Sequence, residues 1–212
     1  MKKGDALWGL GIGFFALILL IPTTHEMFVQ LTTFHPYIGG FIKFAILATM
    51  GELLAIRITT GDYNKPSGLI YRSLIWGFLG MVIVLIFGLF AGGVKGLLAT
   101  GMLPGGNSQL AFAFFVSALM NSTFAPTMMA FHRCTDTYID LKYEKQGKVH
   151  LSEVVARIDW NSFVSFVVLK TIPVFWIPAH TITFLLPPEY RILVAASLSI
   201  ALGAILAFAK RK

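Results

Sequence analysis

The chain has 212 residues, of which 56% are hydrophobic and only 13% charged, with a formal net charge of +7 and a mean hydropathy of +0.76. Soluble domains are about half apolar and about a quarter charged, so this composition excludes an ordinary soluble domain. The single cysteine, Cys134, excludes an internal disulfide and a cysteine-rich metal site.

Six apolar blocks along the chain approach or exceed the roughly 20 residues that a bilayer core requires. Backbone groups in lipid must bond within their own segment, so continuous apolar blocks predict helices and not the alternating strands of a membrane barrel. We therefore predict an all-α integral membrane bundle of about six transmembrane helices. The predicted spans are residues 5–21, 36–59, 68–99, 108–132, 160–186 and 189–209.

Two shorter amphipathic stretches are predicted to be helices that lie on the membrane surface. Residues 24–36 place Met27, Phe28, Leu31 and Phe34 at helical spacing, which favours a short helix on the outer surface. Residues 150–160 likewise place their apolar side chains on one face and end in a tryptophan. This pattern is typical of an interfacial helix on the cytoplasmic side.

Lysine and arginine alternate between the predicted loops. They bracket the loop after the second span, crowd the long segment 133–157 and end the chain, whereas residues 22–36 and 100–108 contain none. This alternation follows the positive-inside rule and predicts that both termini are cytoplasmic. It also explains the positive charge without a nucleic-acid partner, so the predicted partner of the chain is the lipid bilayer.

Ionisable side chains inside a span are costly unless they are paired or hydrated, so each is a candidate functional residue. Glu52 and Lys170 lie at similar depths, toward the cytoplasmic ends of their spans. Two interpretations remain open. The residues form an intramembrane ion pair, or Lys170 extends to the cytoplasmic interface and pairs with nothing.

A second set of positive groups lies toward the outer side of the predicted bundle. Lys43 and His180 are in the outer halves of their spans, and Lys95 and Arg191 are near outer ends. They predict either a positive outer mouth or four independent interfacial anchors, the latter favoured for Lys95 and Arg191.

Two predicted spans combine polar residues with proline. Pro173 and Pro178 each remove a backbone donor from the fifth span, and Asn121 precedes Pro126 in the fourth. A broken helix is tolerated at membrane depth where it is buried in protein or lines a wet cavity. The pattern favours a pore or solute site between these spans, and the alternative is a bundle held by interhelical hydrogen bonds.

Gly88, Gly92 and Gly96 form a ladder of small residues in the third span. Such ladders let helix backbones approach closely in lipid. Packing within one subunit is the favoured interpretation, and a homo-oligomer interface is the alternative.

Several motifs, in chain order, resemble the Mpv-seventeen and peroxisomal membrane protein family. Gly51-Glu52 stands where that family has a Gly-Asp pair, and Arg72 precedes a glycine-bearing span. NSTFAP, residues 121–126, is similar to the family's DQ-x-x-FAP box, with Met120 and Asn121 at the Asp and Gln positions.

The third motif is FWIPAHTITFLLPPEYR, residues 175–191, which is similar to the family's Trp-Pro signature with a terminal arginine. Trp176, Phe184 and Arg191 match, while His180 and Thr183 stand at the family's Gln and Asn positions. The resemblance covers residues 35–212. Residues 1–34 form an extra N-terminal span and an outer interfacial segment without a counterpart in the family.

The resemblance implies a small membrane protein that forms a channel or pore for small solutes, which are anionic or neutral. A proton-coupled transporter, with Glu52 taking up the proton, is the first alternative, and a structural or lipid-binding protein is the second. The predicted pore or solute-site residues are Lys43, Glu52, Asn121, Lys170, Trp176, His180, Thr183 and Arg191.

An enzyme is not expected from this sequence. His25-Glu26 begins like a zinc-protease HExxH motif, but Val29 stands at the second histidine position, and no phosphate-binding glycine loop is present. No metal and no cofactor are predicted. The N-terminus lacks the arginines of a mitochondrial presequence, so the predicted location is a prokaryotic plasma membrane.

Overall fold

The computed structural model describes residues 2–145 and 147–209, with side chains through residue 205. The basic residues 210–212, which the positive-inside prediction used, lie outside the described residues. Within them the chain is all-helical, as predicted. The helices are α1 Lys3–Leu20, α2 Pro22–Phe34, α3 Pro36–Thr60, α4 Leu69–Ala99, α5 Gln109–Lys145, α6 Leu151–Arg157, α7 Trp160–Leu185 and α8 Pro188–Ala209.

Local residue chemistry sets several of the helix boundaries. Pro22 and Pro36 open α2 and α3, where a missing backbone N–H costs nothing. Gly61 ends α3 in a left-handed conformation, with φ at 81°, which glycine adopts without strain. Turn residues then lead into α4, so the predicted ends of the second and third spans agree with the structure within one residue.

Within the described part of the chain, five helices are long and apolar enough to cross a membrane, by length and composition: α1, α4, α5, α7 and α8. The sixth predicted span, α3, is not among the five. It is 25 residues long and runs antiparallel to α4, so that Gly40 lies beside Gly80 and Ala45 beside Ser73. A 25-residue helix is about 37 Å long, enough to cover the same layer as α4.

The two ends of the bundle differ in charge. One end, here called the basic end, carries the loop 61–68 and the C-terminal part of α5, with their lysines and arginines. The opposite end, here called the neutral end, carries the loop 100–108, which has neither residue type. Helices α3 and α7 run in opposite senses between these ends, since α3 finishes at the basic end and α7 starts there.

Backbone contacts through glycine hold α3 between α4 and α8. A Cβ atom on Gly40 would lie 2.8 Å from the carbonyl oxygen of Gly80, and one on Gly203 would lie 3.0 Å from the oxygen of Gly51. Real Cβ atoms essentially never approach as closely as the Gly40 contact, so only glycine permits the crossing of α3 with α4, and a Cβ at Gly203 would require α3 and α8 to move slightly apart. The core around them contains Phe44, Leu47, Ala48 and Ala196, all nearly inaccessible.

The predicted glycine ladder of α4 plays no such role inside the subunit. Cβ atoms added to Gly88, Gly92 and Gly96 would meet nothing within 4 Å in the described part of the chain. The favoured interpretation, packing within one subunit, is therefore wrong for these residues. Their face of α4 points away from the bundle, whereas Gly77 and Gly80 form the face that meets α3.

Helix α7 departs from regular α-helical geometry. Residues Phe163–Trp176 form a π-helix, in which hydrogen bonds span five residues, and Ile177–Leu185 continue as α-helix. Pro173 lies inside the π-helical part, and Pro178 opens the α-helical part. The two prolines that predicted breaks therefore accompany a change of winding. π-Helix is rare and is mostly limited to single turns, which are frequent at functional sites. A π-helical run as long as this one is therefore unusual.

The short helix α6 packs against the basic end of α5. Val154 and Ile158 are buried with Leu141 of α5, and the remaining face carries charged side chains. Lys145 hydrogen-bonds Glu153 at 2.7 Å and, with the His150 backbone N–H, lowers the pKa of that carboxyl below its ordinary value. The amphipathic helix that the sequence predicted in residues 150–160 is confirmed.

If α3 crosses the membrane with α4, the loops at its two ends must be on opposite sides. We expect a cysteine at His35 to be labelled from the same side as one at Asn107, and from the side opposite to one at Lys65. The measurement is labelling with a membrane-impermeant maleimide in a Cys134→Ser background. Labelling of His35 and Lys65 from one side would place α3 within the bundle without crossing.

The glycine contact predicts different effects for matched substitutions on α4. In Gly80→Ala the new Cβ would lie 2.7 Å from Phe44 Cβ and closer still to the Gly40 oxygen. We expect a loss of about 1–3 kcal/mol from overpacking. Gly92→Ala adds its methyl group in open space and should be neutral or slightly stabilising. Thermal unfolding in detergent measures both, and equal melting temperatures would contradict the contact.

Candidate functional site: a central cavity with a carboxylate–histidine row

A cavity of about 330 Å³ lies at the centre of the bundle, between α3, α4, α5, α7 and α8. Its wall is mostly aromatic and methionine side chains, with a small number of polar groups. The aromatic and methionine residues are Phe44, Trp76, Phe87, Met120, Phe124, Met128, Met129, Phe163, Phe166 and Trp176, and the ionisable ones are Glu52, His132, Arg133, Asp136 and His180. A concave apolar site with few polar groups is typical of small-molecule binding.

The cavity opens toward the basic end and is closed toward the neutral end. Arg133 is exposed, and the Glu52 side chain keeps 24% of its surface accessible, whereas Asn121 keeps 1%. Beyond His180 the bundle is tightly packed by Phe184, whose ring centroid is 4.7 Å from that of Phe87. Within the described residues this packed layer separates the cavity from the loop 100–108.

Glu52, His132 and Asp136 form a row along the wall, here called the carboxylate–histidine row. His132 lies between the two carboxylates, with Nε2 at 3.5 Å from Glu52 Oε1 and Nδ1 at 3.4 Å from Asp136 Oδ2. Trp76 donates its indole N–H to Glu52 Oε1 at 2.8 Å, and its ring lies 4.1 Å from the His132 ring. The row therefore connects two acids through both nitrogens of one imidazole.

Arg72 closes the row at the basic end. It is 8% exposed and makes ion pairs with Asp136 at 2.9 Å and Asp140 at 2.5 Å. The sequence placed Arg72 at a loop boundary as part of the basic cytoplasmic face. In the structure it is buried, because α5 offers it two carboxylates one helical turn apart. Asp140, one turn beyond Asp136, keeps 52% of its side chain accessible, so Arg72 links the row to an acid at the surface.

Three of the predicted site residues meet in the closed half of the cavity. His180 is buried, and its Nδ1 lies 3.1–3.2 Å from the side-chain amide of Asn121. Trp176 stacks on the His180 ring at 5.2 Å, and its buried indole nitrogen has no hydrogen-bond partner among the described residues. Asn121 also donates to the Ser117 carbonyl at 2.8 Å. Asn121, Trp176 and His180 line the cavity. The pore or solute site predicted between these spans stays a prediction, and the contact between Asn121 and His180 also agrees with the alternative, a bundle held by interhelical hydrogen bonds.

Of the two interpretations left open for Glu52 and Lys170, the ion pair is not formed among the described residues. Glu52 contacts Trp76 and His132 instead. Lys170 is exposed on the outside of α7, with Nζ 5.7 Å from the Phe166 ring centroid. Glu52 and Lys170 lie at similar depths in the bundle, but Glu52 faces the interior and Lys170 faces outward. The sequence indicated only their depths.

The other three predicted residues lie outside the cavity wall. Lys43 is buried under α2, where its Nζ donates to Thr32 Oγ1 at 2.6 Å and lies over the Phe28 ring. Thr183 bonds back to its own helix. Arg191 donates to the Leu186 carbonyl at the end of α7. Lys43 and Arg191 thus each have a partner of their own, which agrees better with separate anchors than with one positive outer mouth.

Sequence reasoning missed His132, Asp136 and Trp76. The predicted fourth span ends at His132, whereas α5 continues to Lys145, so Asp136 lies beyond the predicted span. A signal was present, because His132, Asp136 and Asp140 are spaced by four residues and therefore share a helix face. Their register against Glu52 depends on helix packing, which the spacing does not give.

The same three groups also have the composition of a metal site, since one ligand atom from each lies within 4.8 Å of the others. The geometry suits a metal ion poorly. Glu52 and Asp136 approach different nitrogens of His132, whereas a single ion binds one nitrogen of an imidazole. Arg72 already neutralises Asp136. The arrangement is better suited to passing a proton, because a histidine between two carboxylates accepts on one side and donates on the other.

Comparison of the chain with protein-family models, with curated proteins and with solved structures gives no match.

A double-mutant cycle distinguishes the observed contact from the predicted one. Glu52→Gln and His132→Gln should be coupled by about 0.5–3 kcal/mol, as is usual for residues in contact. Glu52→Gln and Lys170→Met should be additive within about 0.5 kcal/mol. The free energy of unfolding in detergent measures both. Coupling to Lys170 that equals or exceeds the coupling to His132 would contradict the geometry.

Proposed function

We propose that this chain is a multi-pass membrane protein that transports small solutes through its central cavity in exchange for protons. The observation that carries the proposal is the carboxylate–histidine row, which runs from Glu52 in the cavity wall through His132 to Asp136, one helical turn from the exposed Asp140. Ionisable chains of this kind inside membrane segments are typical of proton relays in transporters.

The spacing of the row supports this use. The gaps of 3.5 and 3.4 Å on the two sides of His132 are about 0.5 Å longer than a hydrogen bond. Small side-chain movements therefore suffice to pass a proton from Glu52 through the imidazole to Asp136. Arg72 holds Asp136 in place, and Asp140 gives access to water at the basic end.

The closed neutral end favours a coupled transporter over an open channel. A channel needs a continuous path, but Phe87 and Phe184 pack across the bundle beyond His180. A transporter alternates between states that open to one side at a time, and a cavity open only toward the basic end corresponds to one such state. The channel that the sequence favoured stays a prediction.

The orientation and location of the protein belong to the same proposal. We place the basic end in the cytoplasm, on the positive-inside rule, in a prokaryotic plasma membrane. With α3 as a sixth span, both termini are then cytoplasmic. The basic residues around α6 are suited to contact anionic headgroups at that surface.

Reconstitution tests the coupling. Liposomes that contain a trapped pH dye and the protein are challenged with outward gradients of alkylammonium ions, carboxylates and sugars. We expect at least one class to drive a change in internal pH, and Glu52→Gln to reduce it to less than a tenth. Glu26→Gln, an exposed acid on α2, is the matched control and should retain the response.

Solute movement without any pH change would contradict proton coupling and support the channel. No solute movement for any class, with correctly folded protein, would contradict transport altogether.

A further inference from the structure

The charge of the cavity wall is informative about the solute. Glu52 uses Oε1 for both Trp76 and His132, and its Oε2 accepts no hydrogen bond from the part of the chain that the structure describes. Arg72 is engaged by Asp136 and Asp140, so it does not neutralise Glu52. The inner wall therefore presents one uncompensated carboxylate.

Aromatic rings surround this carboxylate. Trp76 and Phe44 stack beside it on α4 and α3, with ring centroids 6.5 Å apart. Phe124, Phe163 and Trp176 line the same cavity from α5 and α7. Aromatic faces attract cations, and the attraction is strongest where water is excluded.

We infer that the cavity binds a lipophilic organic cation, whose positive centre faces Glu52 and whose apolar groups lie among the aromatic and methionine side chains. This inference rests on the proposed function, since it names the class of the solute. A volume of about 330 Å³ accommodates a molecule with one ring and a substituted ammonium group.

Other occupants fit the wall less well. An anion, one of the two solute classes expected from the sequence, would face the Glu52 carboxylate, and Arg133, which has no ion pair among the described residues, lies exposed at the mouth of the cavity. A hard metal cation such as Ca²⁺ takes six to eight oxygen ligands, and the cavity wall is mostly apolar.

Protons and the organic cation then compete for the same acidic groups of the cavity. The charged and titratable groups around Glu52 are Arg72 from α4 and, from α5, His132, Asp136 and the exposed Arg133 at the mouth of the cavity. Helix α7 contributes His180 deeper in the cavity, and α8 contributes the uncharged Ser199. Protonation of Glu52, His132 or Asp136 makes the wall less negative. Each event weakens cation binding, so the affinity falls as the pH falls, whichever group titrates first.

The test is calorimetric titration of the full chain in detergent with two probes of similar size and opposite charge, benzyltrimethylammonium and benzenesulfonate. We expect the ammonium compound to bind and the sulfonate to bind at least tenfold more weakly. Affinity for the ammonium compound should decrease as the pH falls. Tighter binding of the sulfonate, or a rise in cation affinity at low pH, would overturn the inference.

Two pairs of variants locate the site. Glu52→Gln should weaken binding of benzyltrimethylammonium at least tenfold, and Glu26→Gln should leave it unchanged. Phe124→Leu keeps an apolar side chain but removes a ring of the cavity, so binding should weaken about three- to tenfold. Phe131→Leu, on the outside of the same helix, should have no effect. Equal affinities across either pair would overturn the inference.

Two further outcomes separate the inference from the proposed function. Low concentrations of Zn²⁺ could abolish binding of the ammonium compound in the unmodified protein but not in His132→Gln. That result would assign the carboxylate–histidine row to a metal ion and overturn the inference. Binding of the ammonium compound without proton movement in liposomes would support the inference and contradict proton-coupled transport. Proton-coupled movement of a sugar, without cation binding, would do the reverse.

Discussion

The close approach of α3 to its two neighbours is the constraint on which the rest of the structure depends. Glycine at positions 40 and 80 on one side, and at 51 and 203 on the other, brings backbone against backbone. A larger residue does not fit where α3 crosses α4, and it would push α3 and α8 apart at their crossing, so α3 lies centrally and its register is restricted on both sides. Glu52 follows Gly51 directly, and its place in the cavity wall is a consequence of that contact.

The two halves of the bundle are stabilised by different interactions. Near the neutral end, Val94, Val116 and Phe184 fill the interior with almost no accessible surface. Near the basic end, buried polar contacts replace this packing, and Arg72 joins α4 to α5 through two carboxylates. Buried ion pairs are stable only when their partners are well placed, so this half depends on geometry that the other half does not need.

The helices were predictable because continuous apolar blocks have few alternatives in lipid. Prolines and Gly61 mark the boundaries, and most predicted ends agree with the structure within two residues. The cavity was predictable in part, through the polar and proline-rich sequence around Asn121 and His180. The partner of Glu52 was not, because it depends on which faces of α3 and α5 meet. Glycine illustrates the same limit, since the conspicuous ladder of α4 faces outward while Gly40 and Gly80 make the contact.

The π-helical stretch of α7 forms one wall of the cavity, and the length of this stretch depends on how its residues are wound. A π-helix winds more residues into each turn than an α-helix does. Rewinding part of Phe163–Trp176 as α-helix would lengthen the segment and rotate the residues beyond it. Trp176 and His180 follow directly, while Ser117 holds the Ile177 carbonyl from α5. The π-helical residues of α7 therefore lie beside the closed half of the cavity. A change of their winding would reshape the cavity wall and leave α3, α4 and α8 in place.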